Sequence, residues 1–155
     1  MLKKNKINEV KALPDKVDEL VSKYKTNDPI KLIKYLDCGL FYDFLGYDTL
    51  GITAFTYGES TVIISNVLSE PEQQFVAAHE LGHVVSGVKE STKFLRRNNF
   101  GLNIPKLEAD ANRFAFKLLM YNLDKDEPIM KYKILDYYDL PYSMERFMEP
   151  QSIMY

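Results

Sequence analysis

With only one cysteine, Cys38, the chain cannot close a disulfide within itself, so whatever holds it together is packing or a metal rather than covalent cross-links. Disulfide-free chains belong to reducing compartments, and the opening Met1-Leu2-Lys3-Lys4-Asn5-Lys6 leads into charged residues rather than an apolar signal core, so a cytoplasmic location is expected. No apolar run approaches the roughly 20 residues needed to cross a bilayer, which excludes a membrane-spanning helix. Nor is there an excess of positive charge: 20 Lys and Arg stand against 22 Asp and Glu, giving a net charge of -2 and no field to collect phosphates. Direct nucleic-acid binding is thereby disfavoured. Repeats, low-complexity tracts and Ser/Gly/Pro linkers are also missing, so residues 1–155 read as one domain with a core over about 15–120 and a helical C-terminal tail over 121–155.

What is present reads as an α+β chain, mostly helical, with a small sheet of about three strands. Ile7, Val10, Leu13, Val17, Leu20, Val21 and Tyr24 recur at three- and four-residue steps and predict an amphipathic helix bent near Pro14. Asp28-Pro29 has the form of an N-cap with Pro in the first turn, opening a short helix through Leu36. Leu40-Phe41-Tyr42, Ile52 to Tyr57 and Thr61 to Ile64 are rich in β-branched and aromatic residues and predict strands, with Gly58-Glu59-Ser60 as a hairpin turn. Ser69-Glu70-Pro71-Glu72 is a capping box that starts a helix running to about Val85. A further helix is expected from about Pro105 to Met120, and short helical stretches packed around the rim beyond it.

The chemistry concentrates in His79-Glu80-Leu81-Gly82-His83, which holds both histidines of the protein. Four residues of helix turn through about 400° and rise about 6 Å, so His79 and His83 share a face and can share a zinc ion. Glu80 lies about 100° from His79, where its carboxylate can act as general base instead of ligand. By chance the pattern should occur in only about a few chains per thousand of this length. Gly82 lowers helix propensity by roughly 1 kcal/mol and suggests close approach of another helix or a substrate. A catalytic zinc usually takes three protein ligands and keeps a fourth position open, and without a third histidine the remaining ligand must be a carboxylate or Cys38. Glu108 is the candidate, because in Lys106 to Phe116 it shares a face with Asn112, Ala111 and Ala115, small residues that permit close packing. Asn112 could then hydrogen-bond a ligating histidine. Asp110 and Glu90 read as solvated charges, Arg96-Arg97 as a solvated pair, and Tyr57 as one candidate donor to a developing oxyanion among eleven tyrosines.

Ala77-Ala78-His79-Glu80-Leu81-Gly82-His83 followed by Glu108-Ala109-Asp110-Ala111-Asn112-Arg113-Phe114-Ala115 and Leu118-Leu119-Met120 resembles the ImmA/IrrE family of metallo-endopeptidases, and the likeness extends over roughly residues 15–120. The resemblance implies a minimal zincin fold, zinc held by His79, His83 and Glu108, and Glu80 as the catalytic acid-base group. It also implies a role as a phage or mobile-element anti-repressor that cleaves a helix-turn-helix repressor. Tyr121 stands where the family commonly has Pro, so the end of that helix is expected to differ. A peptide deformylase, which pairs a similar motif with an upstream cysteine ligand, is disfavoured because Cys38 lies in Asp37-Cys38-Gly39-Leu40 and no Glu-Gly-Cys-Leu motif is present; Cys38 reads as a small buried apolar residue. A zinc-stabilised regulator that acts by binding alone is the second function class, against which the retained base Glu80 argues.

Overall fold

A computed structural model describes residues 11–96, 103–123, 129–148 and 153–154. Pro14 falls in a 3₁₀ turn, Leu13–Asp15, that leads into α1 (Lys16–Tyr24). The bend expected near Pro14 is thus a tighter turn ahead of the helix, where the missing proline N–H breaks no α-helical bond. Residues 7–10 of the expected helix lie outside the described residues. The Asp28 carboxylate accepts from the N–H groups of Ile30 (2.9 Å) and Lys31 (3.4 Å), capping α2 (Pro29–Tyr35) as its sequence predicts.

Four strands follow rather than about three: β1 (Gly39–Asp43), β2 (Thr49–Thr56), β3 (Glu59–Ser65) and, after the next helix, β4 (Thr92–Leu95). They form one sheet in the order β1-β3-β2-β4, with β1 parallel to β3 and β2 antiparallel to both neighbours. The β2–β3 turn is Tyr57-Gly58, both at positive φ (50° and 79°), so Thr56 pairs with Glu59 and the turn sits one residue earlier than Gly58-Glu59-Ser60. Two residues at positive φ are the mark of a tight hairpin whose twist matches that of the strands. The fourth strand was not foreseen because it is only Thr-Lys-Phe-Leu, and what makes it a strand is pairing with β2, some 40 positions upstream in the chain.

Ser69 accepts from the Glu72 N–H at 3.3 Å and starts α3 (Glu70–Ser86), which ends at Gly87 with φ 74°. Every residue from Phe75 to His83 is buried, so α3 is the central element, covered by the sheet and by α4 (Lys106–Leu119). Gly82 answers to the second helix: a Cβ there would lie 3.2 Å from Phe114 Cδ1 and 3.4 Å from Ala111 Cα. The helix stops at Leu119 with Met120 as its C-cap, and Tyr121 is already in the following turn. In the tail, α5 (Lys131–Tyr137) and a 3₁₀ turn, Tyr142–Phe147, send Ile134, Leu135, Met144 and Phe147 into the main apolar cluster rather than lying on its rim. Two-residue strands β5 (Ile129–Met130, preceding α5) and β6 (Ile153–Met154) pair in parallel. Helices around one small mixed sheet make this an α+β fold.

Gly51 marks the tightest contact between sheet and α3, since a Cβ there would stand 2.6 Å from Val76 Cγ1 and 3.1 Å from Glu80 Oε1. Alanine would normally gain roughly 0.5–1 kcal/mol over glycine inside a strand. Overpacking against a stiff, buried valine should exceed that, so Gly51→Ala is expected to destabilise the protein by about 1–3 kcal/mol in denaturant unfolding. An unchanged midpoint would mean that β2 can move off α3.

Candidate metal centre

His79 and His83 stand one turn apart on α3, and Glu108 projects from the facing first turn of α4. Their donor atoms converge: His79 Nε2 lies 3.2 Å from His83 Nε2 and 3.1 Å from Glu108 Oε2, while Glu108 Oε1 lies 3.0 Å from His83 Nε2. Phe94 of β4 stacks on His79, with ring centroids 3.8 Å apart and planes 8° from parallel, which fixes the imidazole plane. Asn112, one turn after Glu108, is fully buried and places Oδ1 2.8 Å from His79 Nδ1.

The last contact determines what sits at the centre. An amide oxygen only accepts, so His79 Nδ1 donates to it, and in a neutral ring Nε2 is then a bare lone pair. That lone pair faces a carboxylate oxygen and a second imidazole nitrogen, which is repulsive unless a cation or a proton lies between them. The spacing suits a cation. Bonds of about 2.0–2.1 Å at tetrahedral angles set neighbouring donors ~3.3–3.4 Å apart, and these three stand 3.0–3.2 Å apart. His79, His83 and Glu108 thus form a group that could hold a metal ion. Two imidazoles and one carboxylate are a donor set for zinc and its first-row neighbours rather than for calcium or magnesium.

The electrostatics point the same way. Burial works against a charged His83 ring, yet the bond to Glu108 and the charges of Glu80 and Glu108 outweigh it and raise its pKa above the ordinary 6.5. Burial likewise works against an ionised Glu108, but its bonds to His79 and His83 prevail and bring its pKa to about 2. The pocket draws positive charge into itself.

Glu80 takes no part in this group. It is fully buried against the sheet, where the Thr53 hydroxyl of β2 donates to its Oε2, and its Oε1 has no hydrogen-bond partner. Burial raises its pKa, against the lowering effect of His79, His83 and the Thr53 bond.

The other sequence candidates lie elsewhere. Cys38 is half-buried against the core edge, outside the donor group, with its thiol pushed up by burial and by Asp37. Asp110 pairs with Arg113 at 3.1 Å, Glu90 is exposed, and Arg96 pairs with Glu72 at 3.5 Å, while Arg97 is outside the described residues. Tyr57 is fully exposed at the hairpin turn. Thr53, Gly51 and Phe94 were missed. Thr53 and Gly51 left a signal, a buried polar side chain and a glycine in the interior of a strand.

A short mixed sheet on a central helix, with two histidines one turn apart and an acid from a second helix, is the arrangement of a zincin-like metallopeptidase. A family model described as the IrrE N-terminal-like domain, a peptidase family, matches residues 39–127, and this chain belongs to that family. The matched span runs from β1 past α4 and takes in His79, Glu80, His83, Glu108 and Asn112, while α1 and α2 lie upstream of it. The chain is also similar to the uncharacterized immunity region protein 2 of Bacillus phage phi105, at 30% identity over 104 residues. That similarity covers 67% of this chain and 65% of the relative, just under two thirds of the relative's length.

Metal titration is expected to give one ion per chain, lost in Glu108→Ala and kept in Cys38→Ala. Asn112→Ala should weaken binding or activity roughly 10- to 100-fold without unfolding the protein, as loss of a partner to a ligating histidine does. The metal needs His83 neutral, so affinity should fall as pH is lowered through a range that begins above 6.5. Retention of metal by Glu108→Ala would move the third ligand elsewhere.

Proposed function

We propose that this protein is a zinc-dependent endopeptidase that cleaves a helix-turn-helix transcriptional repressor. The observation that carries the reaction is the division of labour on one turn of α3: His79 and His83 face Glu108, while Glu80 is held apart from them on the sheet side. A structural metal site has no use for an acid kept beside it and out of it. Zinc held by His79, His83 and Glu108 would polarise the scissile carbonyl and acidify the attacking water. Glu80 takes the proton from that water and returns it to the leaving amine. Burial raises the pKa of its carboxylate, the direction in which such proton shuttles are tuned. Asn112, by accepting from His79 Nδ1, keeps the His79 Nε2 lone pair turned inward.

The repressor as substrate rests on the resemblance to ImmA/IrrE anti-repressors, and a relative named for a phage immunity region supports it. The reaction would run in the cytoplasm; no helix among the described residues is long and apolar enough to cross a membrane. A second reading, a regulator that acts by binding alone, draws on the complete burial of His79 and Glu80.

Glu80→Gln separates the two. The amide keeps the shape but cannot accept the proton, so fold, metal and repressor binding should survive while cleavage is abolished. The measurement is repressor length in cells under inducing conditions, with mass analysis of the fragments. Derepression by Glu80→Gln equal to wild type, with the repressor uncut, would establish the binding-only regulator instead.

A further inference from the structure

We infer that Thr53 is the positioning residue for Glu80: its hydroxyl pins one carboxylate oxygen to β2, which keeps the base out of the His79, His83 and Glu108 donor set and leaves Oε1 free as the proton acceptor. The inference rests on the endopeptidase reading for what Glu80 does, and adds how it is kept available.

Glu80 follows a metal-donor histidine directly in the chain and shares one turn of α3 with His79 and His83. A carboxylate so placed beside a cation tends to ligate it. Doing so would close the fourth position, which a hydrolytic site must keep for water and substrate. Something has to hold the carboxylate back. The Thr53 hydroxyl lies against Glu80 Oε2 and is also 3.5 Å from the Glu80 carbonyl oxygen. A hydroxyl has one proton to give, and the carbonyl contact is at the limit of hydrogen-bond range, so the carboxyl oxygen takes it.

The platform under that hydroxyl is stiff. Thr53 is buried, its β-branched side chain has few rotamers, and its strand is paired on both edges, with Val62 opposite on β3 and Thr92 opposite on β4. Two residues earlier on the same face, Gly51 lacks the Cβ that would press on Oε1 at 3.1 Å. One residue grips Oε2 and the other leaves room for Oε1. The second oxygen accordingly has no protein hydrogen-bond partner although it is buried, which leaves its lone pairs to a proton donor outside the protein.

The test uses the cobalt-loaded full chain, whose visible spectrum reports the ligands of the metal without any substrate. Thr53→Val keeps the shape and removes the donor, so Glu80 is expected to swing onto the metal. The cobalt bands should shift and the metal should bind more tightly than in wild type. Adding Glu80→Gln should reverse both changes, and Thr53→Ser, which restores the hydroxyl, should resemble wild type. In repressor cleavage, Thr53→Val should lower kcat roughly 10- to 100-fold with KM little changed, the size of effect typical for partners of site groups. If Thr53→Val fails to fold, Thr53→Ala carries the same comparison. A variant with a lower melting temperature but wild-type cobalt bands and affinity would overturn the inference and leave Thr53 a filler of the core. If wild type cuts no repressor, the endopeptidase reading falls, and the cobalt bands still decide whether Thr53 restrains Glu80.

Discussion

Inside the crossing of α3 and α4, two imidazole nitrogens and a carboxylate are held within 3.0–3.2 Å of one another, with the other nitrogen of His79 turned to Asn112. Such an arrangement is stable only around positive charge, and most of the surrounding structure serves to keep it in place. Gly82 lets the helices approach, Phe94 from the last strand of the sheet clamps the His79 ring, and Ala111 and Ala115 clear the face of α4 on which Asn112 stands. The apolar cluster packs around the crossing, and the tail contributes Leu135, Met144 and Phe147 to it. Sheet, helices and tail are therefore organised around a polar centre, which small domains tolerate only when each of its members has a use.

Much of this was legible in the chain because the signals are local. Capping by Asp28 and Ser69, Pro29 at a helix start, and the four-residue spacing of His79 with His83 and of Glu108 with Asn112 all act within one or two turns. The crossing of α3 and α4 was foreshadowed by Gly82 and by the alanines around Asn112, since small residues at helical spacing require a neighbour. What was not legible is long-range. β4 becomes a strand only by joining β2, and with it comes Phe94, a residue that no local pattern distinguishes from any other core aromatic. The environment of Glu80 escaped for the same reason: spacing puts it off the metal face, but its restraint comes from a strand 27 positions earlier in the chain. The hairpin turn was misplaced by one residue because Tyr57 adopts a positive φ that its side chain disfavours, and the register of β2 with β3 overrides that local preference.

The family match begins at β1, whereas the core does not. Val17 of α1 and Leu32 and Ile33 of α2 are completely buried in the same cluster as Phe75 and Phe114. The matched span thus holds the site and the sheet beneath it, while the core around them is completed by helices that precede that span.

The lone cysteine gains meaning from the two-helix origin of the donors. His83 and Glu108 are 25 positions apart, so an ion held between them ties a loop of chain much as a disulfide would. In the chain-entropy account, a cross-link of that span is worth roughly 3 kcal/mol. It is formed by coordination rather than oxidation, so a reducing environment leaves it intact. A chelator would do to this protein what a thiol reductant does to a secreted domain, and the folded population would rise and fall with the supply of metal.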